Sequence, residues 1–269
     1  MLAGANLRCF RAPELPADTE KPMRLSSLAI LAFGVAAMAA AQSAPWSYSG
    51  PTGPLNWGRL DPSYRTCSDG QEQSPIDIRH PRLNTALKPI QFYFLAGPAN
   101  LENNGHNVVV HVVPGSYIVA GGVRYNLLQF EFHHPSEEAV KGILSDMGVQ
   151  FVLRSADGKL AVIAVLLNAA QDFPNATLET LWAHLPTTEG ATEKITDMVD
   201  PAGLLPTDRS YWTYMGSLTR PPCTEGVRWF VLQQQLSISR TELNTFASLF
   251  PMNARPLQDR HGRRIEANQ

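Results

Sequence analysis

Along the chain, short runs rich in Val, Ile, Phe and Tyr recur between turn residues: "IQFYFL", "NVVVHVV", "SYIVAGGV", "LLQFEFHH", "VQFVLRSADGKLAVIAVLL" and "VRWFVLQQ". Such runs read as strands of a mostly antiparallel or mixed sheet. Inside the fifth, "SADGK" carries an Asp-Gly turn, which predicts a hairpin of Val149–Arg154 with Leu160–Leu167. Only "NATLETLWAHL" (Asn175 to Leu185) and "SRTELNTFASLF" (Ser239 to Phe250) carry helically spaced apolar positions. Ser239 and Glu242 form a capping-box pair at the start of the second. The stretch Pro45 to Ile78, dense in Pro, Gly, Ser and Trp, shows no helical period and reads as ordered coil wrapping a core. No repeat, low-complexity tract or linker divides the chain from Gln42 onward, so a single domain is expected.

The beginning of the chain differs. Arg24 precedes the apolar run Leu28 to Ala41, which ends in small residues, the pattern of a secretory signal peptide. The run is shorter than the roughly 20 residues of a membrane span. The expected layout is an upstream start at 1–22, a signal at 23–41 and one domain at 42–269, secreted or periplasmic, with no membrane span in the mature chain. Net charge is −2, without a Lys/Arg stripe, which excludes a nucleic-acid binder and leaves a small molecule or a protein as partner. Of three cysteines Cys9 departs with the signal, and Cys67 and Cys223 remain as a disulfide pair in an oxidising compartment. Closing so long a loop contributes roughly 4–5 kcal/mol in the chain-entropy account.

The candidate chemistry lies in "LLQFEFHHPSEE" (127–138). On a strand, Gln129, Glu131 and His133 point one way while Phe130, Phe132 and His134 point the other. Glu131 and His133, two apart, can grip one metal if a neighbouring strand offers a third donor. Gln150, which shares a face with Val152, is the candidate. By spacing alone the signal is weak, because a polar pair on a half-exposed strand is usually just a solvated face.

Five stretches in order, "QSPIDI" (73–78), "NNGH" (103–106), "QFEFHHPSEE" (129–138), "DGKLAVIAV" (157–165) and "YWTYMGSLTRPP" (211–222), resemble the alpha class of carbonic anhydrases, and the similarity runs from about Trp46 to Pro251. The resemblance implies a mainly β domain on one large, twisted, mostly antiparallel sheet of about ten strands, with a few peripheral helices. It also implies a zinc ion held by three histidines from two adjacent strands. Those positions fall at Glu131, His133 and Gln150, where only His133 is histidine. Thr219 takes the place of the threonine that accepts a hydrogen bond from zinc-bound hydroxide, Glu137 that of the glutamate orienting it, and His106 that of the proton shuttle. Val152, Val162, Leu218 and Trp229 fall at the wall of the carbon dioxide pocket, Gln129 and Asn104 on its polar side, and Tyr48 in its water network. Two further positions depart: Glu138 stands where histidine is common, and Gly148 where a glutamate holds the third ligand. Arg220 follows Thr219 at the mouth.

Three neutral imidazoles leave the full charge of zinc acting on its bound water, the established case being carbonic anhydrase itself. The Glu131 carboxylate would partly neutralise that charge, and an amide such as Gln150 is a weak, hard donor for zinc. His134 lies on the opposite strand face and Glu138 past the strand's end, which leaves His111, on the face of Val109, as a possible replacement ligand. A metal-free arrangement has Glu131, His133 and Gln150 bonding one another, with His133 protonated beside the carboxylate. The expectation is an exported carbonic-anhydrase-like protein with weak or absent zinc binding and with carbonate dehydratase activity lost or strongly reduced. The alternative is an active enzyme acting on carbon dioxide and bicarbonate through a Glu/His/Gln zinc set.

Overall fold

Apolar runs set the middle of the sheet, and polar alternation sets its edges. The structure, a computed structural model, describes residues 44–171 and 174–269, so the segments expected at 1–22 and 23–41, with Cys9, lie outside the described residues. Ten strands form one continuous path: β1 (Arg82–Leu83), β2 (Gly97–Asn103), β3 (Val108–Val112), β4 (Val123–His133), β5 (Met147–Ser155), β6 (Leu160–Gln171), β7 (Thr192–Val199), β8 (Tyr211–Ser217), β9 (Glu225–Leu232) and β10 (Glu266–Ala267). Their spatial order is β7-β2-β3-β4-β5-β6-β9-β8-β10-β1, with Gln91–Tyr93, Tyr117–Ala120 and Leu236–Ser239 attached beside the path. Neighbours are antiparallel except β6 with β9, β6 with Leu236–Ser239, and β10 with β1. The mainly β fold expected from sequence is the fold observed.

The Asp-Gly hairpin is present, with Met147 opposite Leu167 and Arg154 opposite Leu160. Tyr117–Ala120 turns into β4 through Gly121 and Gly122, whose φ values of 57° and 80° suit a tight hairpin turn that a β-carbon would strain. β2 and β7 carry no apolar run: β2 alternates buried and exposed positions, and β7, at the sheet edge, buries only Ile195 and Val199. The β4–β5–β6 centre is buried on both faces. Phe130, Phe132, Phe151, Val149 and Leu153 have no exposed surface and belong to the main core cluster. Burying a Phe-sized side chain contributes about 1.5–3 kcal/mol.

The helices lie outside the sheet. The stretch expected to be coil holds two single-turn helices, α1 (Trp57–Leu60) and α2 (Thr66–Asp69), and two 3-10 turns, Gly50–Thr52 and Pro62–Tyr64. Four-residue turns are too short to show a period, and these are held by tertiary bonds such as Trp57 Nε1 to the Ser47 carbonyl (2.9 Å) and the Tyr64 hydroxyl to that of Ala44 (2.9 Å). Cys67 of α2 joins Cys223 with a Cα–Cα separation of 5.0 Å, so the expected disulfide is formed. α3 (Ala176–Trp182) starts at Asn175, whose side chain accepts from the backbone of Thr177 and Leu178. α4 (Arg240–Leu249) has the full Ser239/Glu242 capping box. Trp182 and Phe246 stack with ring centroids 5.6 Å apart, and both rings touch Phe132, which fastens the helices to the far face of β4. No helix among the described residues is long and apolar enough to cross a membrane.

Candidate functional site

The antiparallel register of β4 and β5 sets Gln150 opposite Glu131 and Gly148 opposite His133. Partners directly opposite share a face, so Glu131, His133 and Gln150 meet in one cup, each at most 5% exposed. Glu137, 1% exposed in the loop after β4, closes its floor. His133 Nδ1 bonds the backbone carbonyl of Asn253 at 2.8 Å, and because a carbonyl only accepts, that nitrogen donates. Nε2 then faces the cup with no hydrogen-bond partner, 3.6 Å from Glu137 Oε2 and 3.9 Å from Glu131 Oε1.

The other two corners are committed elsewhere. Gln150 Nε2 donates to Glu137 Oε2 at 2.8 Å, and Gln129 Nε2 donates to Glu131 Oε2 at 3.0 Å. Mutual bonding of Glu131, His133 and Gln150 is therefore not what forms: each uses a partner outside the trio. A carboxylate only accepts, and Glu137, Asn253 and Gln129 lie where a donor or acceptor was needed. Among the described residues no group of three or more His, Cys, Asp or Glu side chains is placed to hold a metal ion.

Two residues that the sequence reading missed tie the cup down. Arg255, 3% exposed, donates its backbone N–H to Glu137 Oε1 (2.8 Å) and its guanidinium to Gln73 Oε1 and the carbonyls of Ser74 and Cys67. Burial pulls its pKa down to about 10 against the opposing fields of Glu137 and Tyr48. Asn253, besides holding His133, accepts from His134 N–H and donates to the carbonyls of Phe132 and His106. "PMNARP" (251–256) carries no periodic signal; an Asn and an Arg in an otherwise apolar, Pro-bounded loop are its only hint.

Similarity to known proteins bears on this cup. The model of the eukaryotic-type carbonic anhydrase family matches residues 52–269. The chain belongs to that family. A carbonic anhydrase of Pectobacterium carotovorum is 36% identical over 240 residues, covering 89% of this chain and 97% of that protein. The alpha-carbonic anhydrase of Thermovibrio ammonificans, solved with sulfanilamide, superposes with a TM-score of 0.80 at 37% identity, covering 84% of this chain and all of that one. Dioscorin, solved with ascorbate, gives 0.76 at 33% identity over 83% of this chain and 97% of its own.

Of the remaining carbonic anhydrase positions, Val162 and Trp229 are buried in one apolar cluster, with Leu218 packed against it. Val152 lies opposite Val162 on one side and Gln129 on the other, between apolar wall and polar cup. Thr219 is buried, and no hydrogen bond joins it to Glu137 among the described residues, since Arg255 and Gln150 supply that carboxylate's donors. His106 is half-buried and stacked on Trp46 (centroids 3.8 Å), and loss of solvent lowers its pKa, with Glu189 opposing and Arg220 assisting. Asn104 uses its side-chain oxygen on the backbone of His106 and Asn107 and so builds the turn that carries the histidine. Enclosure, then the charges of Glu137 and Glu131, hold the Tyr48 phenol well above its usual range, with Arg220 and Arg255 pulling the other way.

Two expectations about spare ligands are settled by contacts. His111 is not a replacement ligand: its side chain is 41% exposed and lies 3.5 Å from Glu102 across β2 and β3. His134 bonds the Pro251 carbonyl, away from the cup. Glu138 lies past the end of β4, as expected, yet is 2% exposed with Oε1 unpartnered. Burial first, and the Glu137 charge second, raise its pKa well above the carboxyl range. Gly148 leaves ordinary contact distance, 3.5 Å, between a β-carbon and Ser136.

Proposed function

We propose that this member of the carbonic anhydrase family is exported and that its carbonate dehydratase activity is lost or strongly reduced, the cup serving to bind a small polar molecule. The observation that carries the reading is the Gln150 Nε2 to Glu137 Oε2 bond of 2.8 Å. A zinc corner must offer a lone pair, and with its N–H held by Glu137 this corner has only a neutral amide oxygen, a weak donor for zinc. Glu131 accepts from Gln129 through Oε2, and His133 Nε2 is the one imidazole nitrogen of the cup, buried and without a partner. One imidazole, one carboxylate and one amide do not fit the zinc that the family implies. The residues that remain, His133, Glu131, Glu137 and Gln129, make a polar floor beneath an apolar wall, which suits a small ligand with both kinds of surface. Dioscorin, a relative solved in complex with ascorbate, supports small-molecule binding by a protein of this fold. Export is supported by the apolar run at 28–41 and by the Cys67–Cys223 pairing, which belongs to an oxidising compartment.

A second reading keeps the enzyme active with zinc on Glu131, His133 and Gln150. The buried, unpartnered His133 Nε2 favours it. Zinc per chain after dialysis against a chelator, with stopped-flow hydration of carbon dioxide, separates the two. The first predicts substoichiometric zinc and hydration near the uncatalysed rate; retained zinc with rapid hydration would overturn it. Glu131→His with Gln150→His should bring zinc to about one per chain, because three imidazoles then meet on one face.

A further inference from the structure

A second concave site lies where the two ends of the domain meet. β10 pairs in parallel with β1, and Arg82 N–H donates to the Ile265 carbonyl at 2.9 Å. This brings "RHPR" (79–82) against "RHGRR" (260–264) around a cavity of about 160 Å³ lined by His80, Arg82, Arg260, Arg263 and Arg264 and by the Gly262–Ile265 backbone. No carboxylate lines it. Of the neighbouring acids, Asp77 pairs with Arg79 and Asp259 accepts the His261 N–H, while Glu266, the register partner of Arg82, forms no ion pair among the described residues. Among the described residues none of the four cavity arginines forms an ion pair with a carboxylate.

The walls are fixed, and the free donors point to solvent. Arg263 is locked by the carbonyls of Arg260, Met215, Gln73 and Asp259, and Arg260 is braced on the carbonyl of Arg79. Arg82 and Arg264 are exposed, with no side-chain hydrogen bond among the described residues. His80 and His261 hold positive φ values, 51° and 47°, on the two turns that frame the cavity. Backbone held in so sparsely populated a region concentrates at ligand-binding turns. Four guanidiniums, always charged, repel one another unless an anion sits between them, and the forks of Arg82 and Arg264, not spent on protein acceptors, match phosphate oxygens bidentately. The volume is well below the roughly 300 Å³ at which drug-sized pockets begin, which limits the occupant to one or two tetrahedral groups.

We propose that this cavity binds a multiply charged phosphate group, either free in solution or carried on an anionic lipid. It is independent of the cup and of any hydratase activity.

The test uses the mature domain. Pyrophosphate is titrated against sodium chloride at matched ionic strength, by calorimetry and by shift in Tm. In parallel, the protein is floated with phosphatidylglycerol-containing vesicles and with pure phosphatidylcholine vesicles. Pyrophosphate should bind and raise Tm, and Arg82→Gln with Arg264→Gln should weaken binding about tenfold or more, as loss of bidentate contacts requires. The Lys pair at the same positions, which keeps charge but not the fork, should retain part of the affinity and checks that folding is intact. Lys194→Gln, outside the cavity, should change nothing. Binding to pyrophosphate without vesicle association identifies a free anion, and vesicle association abolished by the Gln pair identifies a headgroup. Absence of any response that depends on Arg82 and Arg264, to either probe, overturns the proposal.

Discussion

The two faces of β4 are built by different rules. On one, the rings of Phe130 and Phe132 pack against Phe151, Trp182 and Phe246 in an apolar cluster, so each contact supports the next. On the other, one residue further along each time, Gln129, Glu131 and His133 each need a specific partner, and two of those partners come from loops. The apolar face tolerates approximate shape, whereas the polar face depends on each donor finding its acceptor in a dry site. The same strand therefore carries the most secure and the most conditional part of the molecule.

The largest effect should come from the apolar face. Phe132→Ala leaves a cavity where the ring met Trp182 and Phe246 and should cost about 3–5 kcal/mol, read from urea unfolding at unchanged slope. A smaller loss is expected on the polar face. Gln150→Ala strips Glu137 Oε2 of its donor and should cost about 1–3 kcal/mol, and a loss near zero would show that the amide bond is not the element holding the cup. The smallest effect at neutral pH, and the one that sharpens the contrast, concerns Glu138. Burial raises its folded pKa, so the folded chain binds a proton that the unfolded chain releases near pH 4.3. Its contribution is full below that pH and is lost as pH rises through the raised folded value. Glu138→Gln should flatten the decline of Tm with rising pH, while leaving the acid side unchanged.

How much of this was legible differs by face in the same way. The strands, the Asp-Gly hairpin and the Phe130/Phe132 alternation follow from local pattern, because period-two burial is written into neighbouring residues. The family's motif order puts Glu131, His133 and Gln150 at matching positions, and the strand register brings them into one cup. What the sequence did not carry was whom they bond. His133 is anchored 120 residues away on Asn253, and Glu137 takes its second donor from Arg255, 118 away. No spacing rule reaches across such separations. His111 looked available only because a strand pattern gives the face but not the distance along it, and Glu102 holds it at the rim.

The parallel pairing of β6 with β9 and the 156-residue span between Cys67 and Cys223 carry a consequence for biogenesis. The β6–β9 junction and the covalent clasp cannot close until residues 223–232 have left the ribosome, although the β4–β5–β6 centre can pair before then. Long-separation pairings of this kind fold slowly and leave strand borders bare in the interim. A chain stalled before residue 223 should therefore keep Cys67 reduced and β6 without its β9 partner, read as a protease-sensitive free thiol.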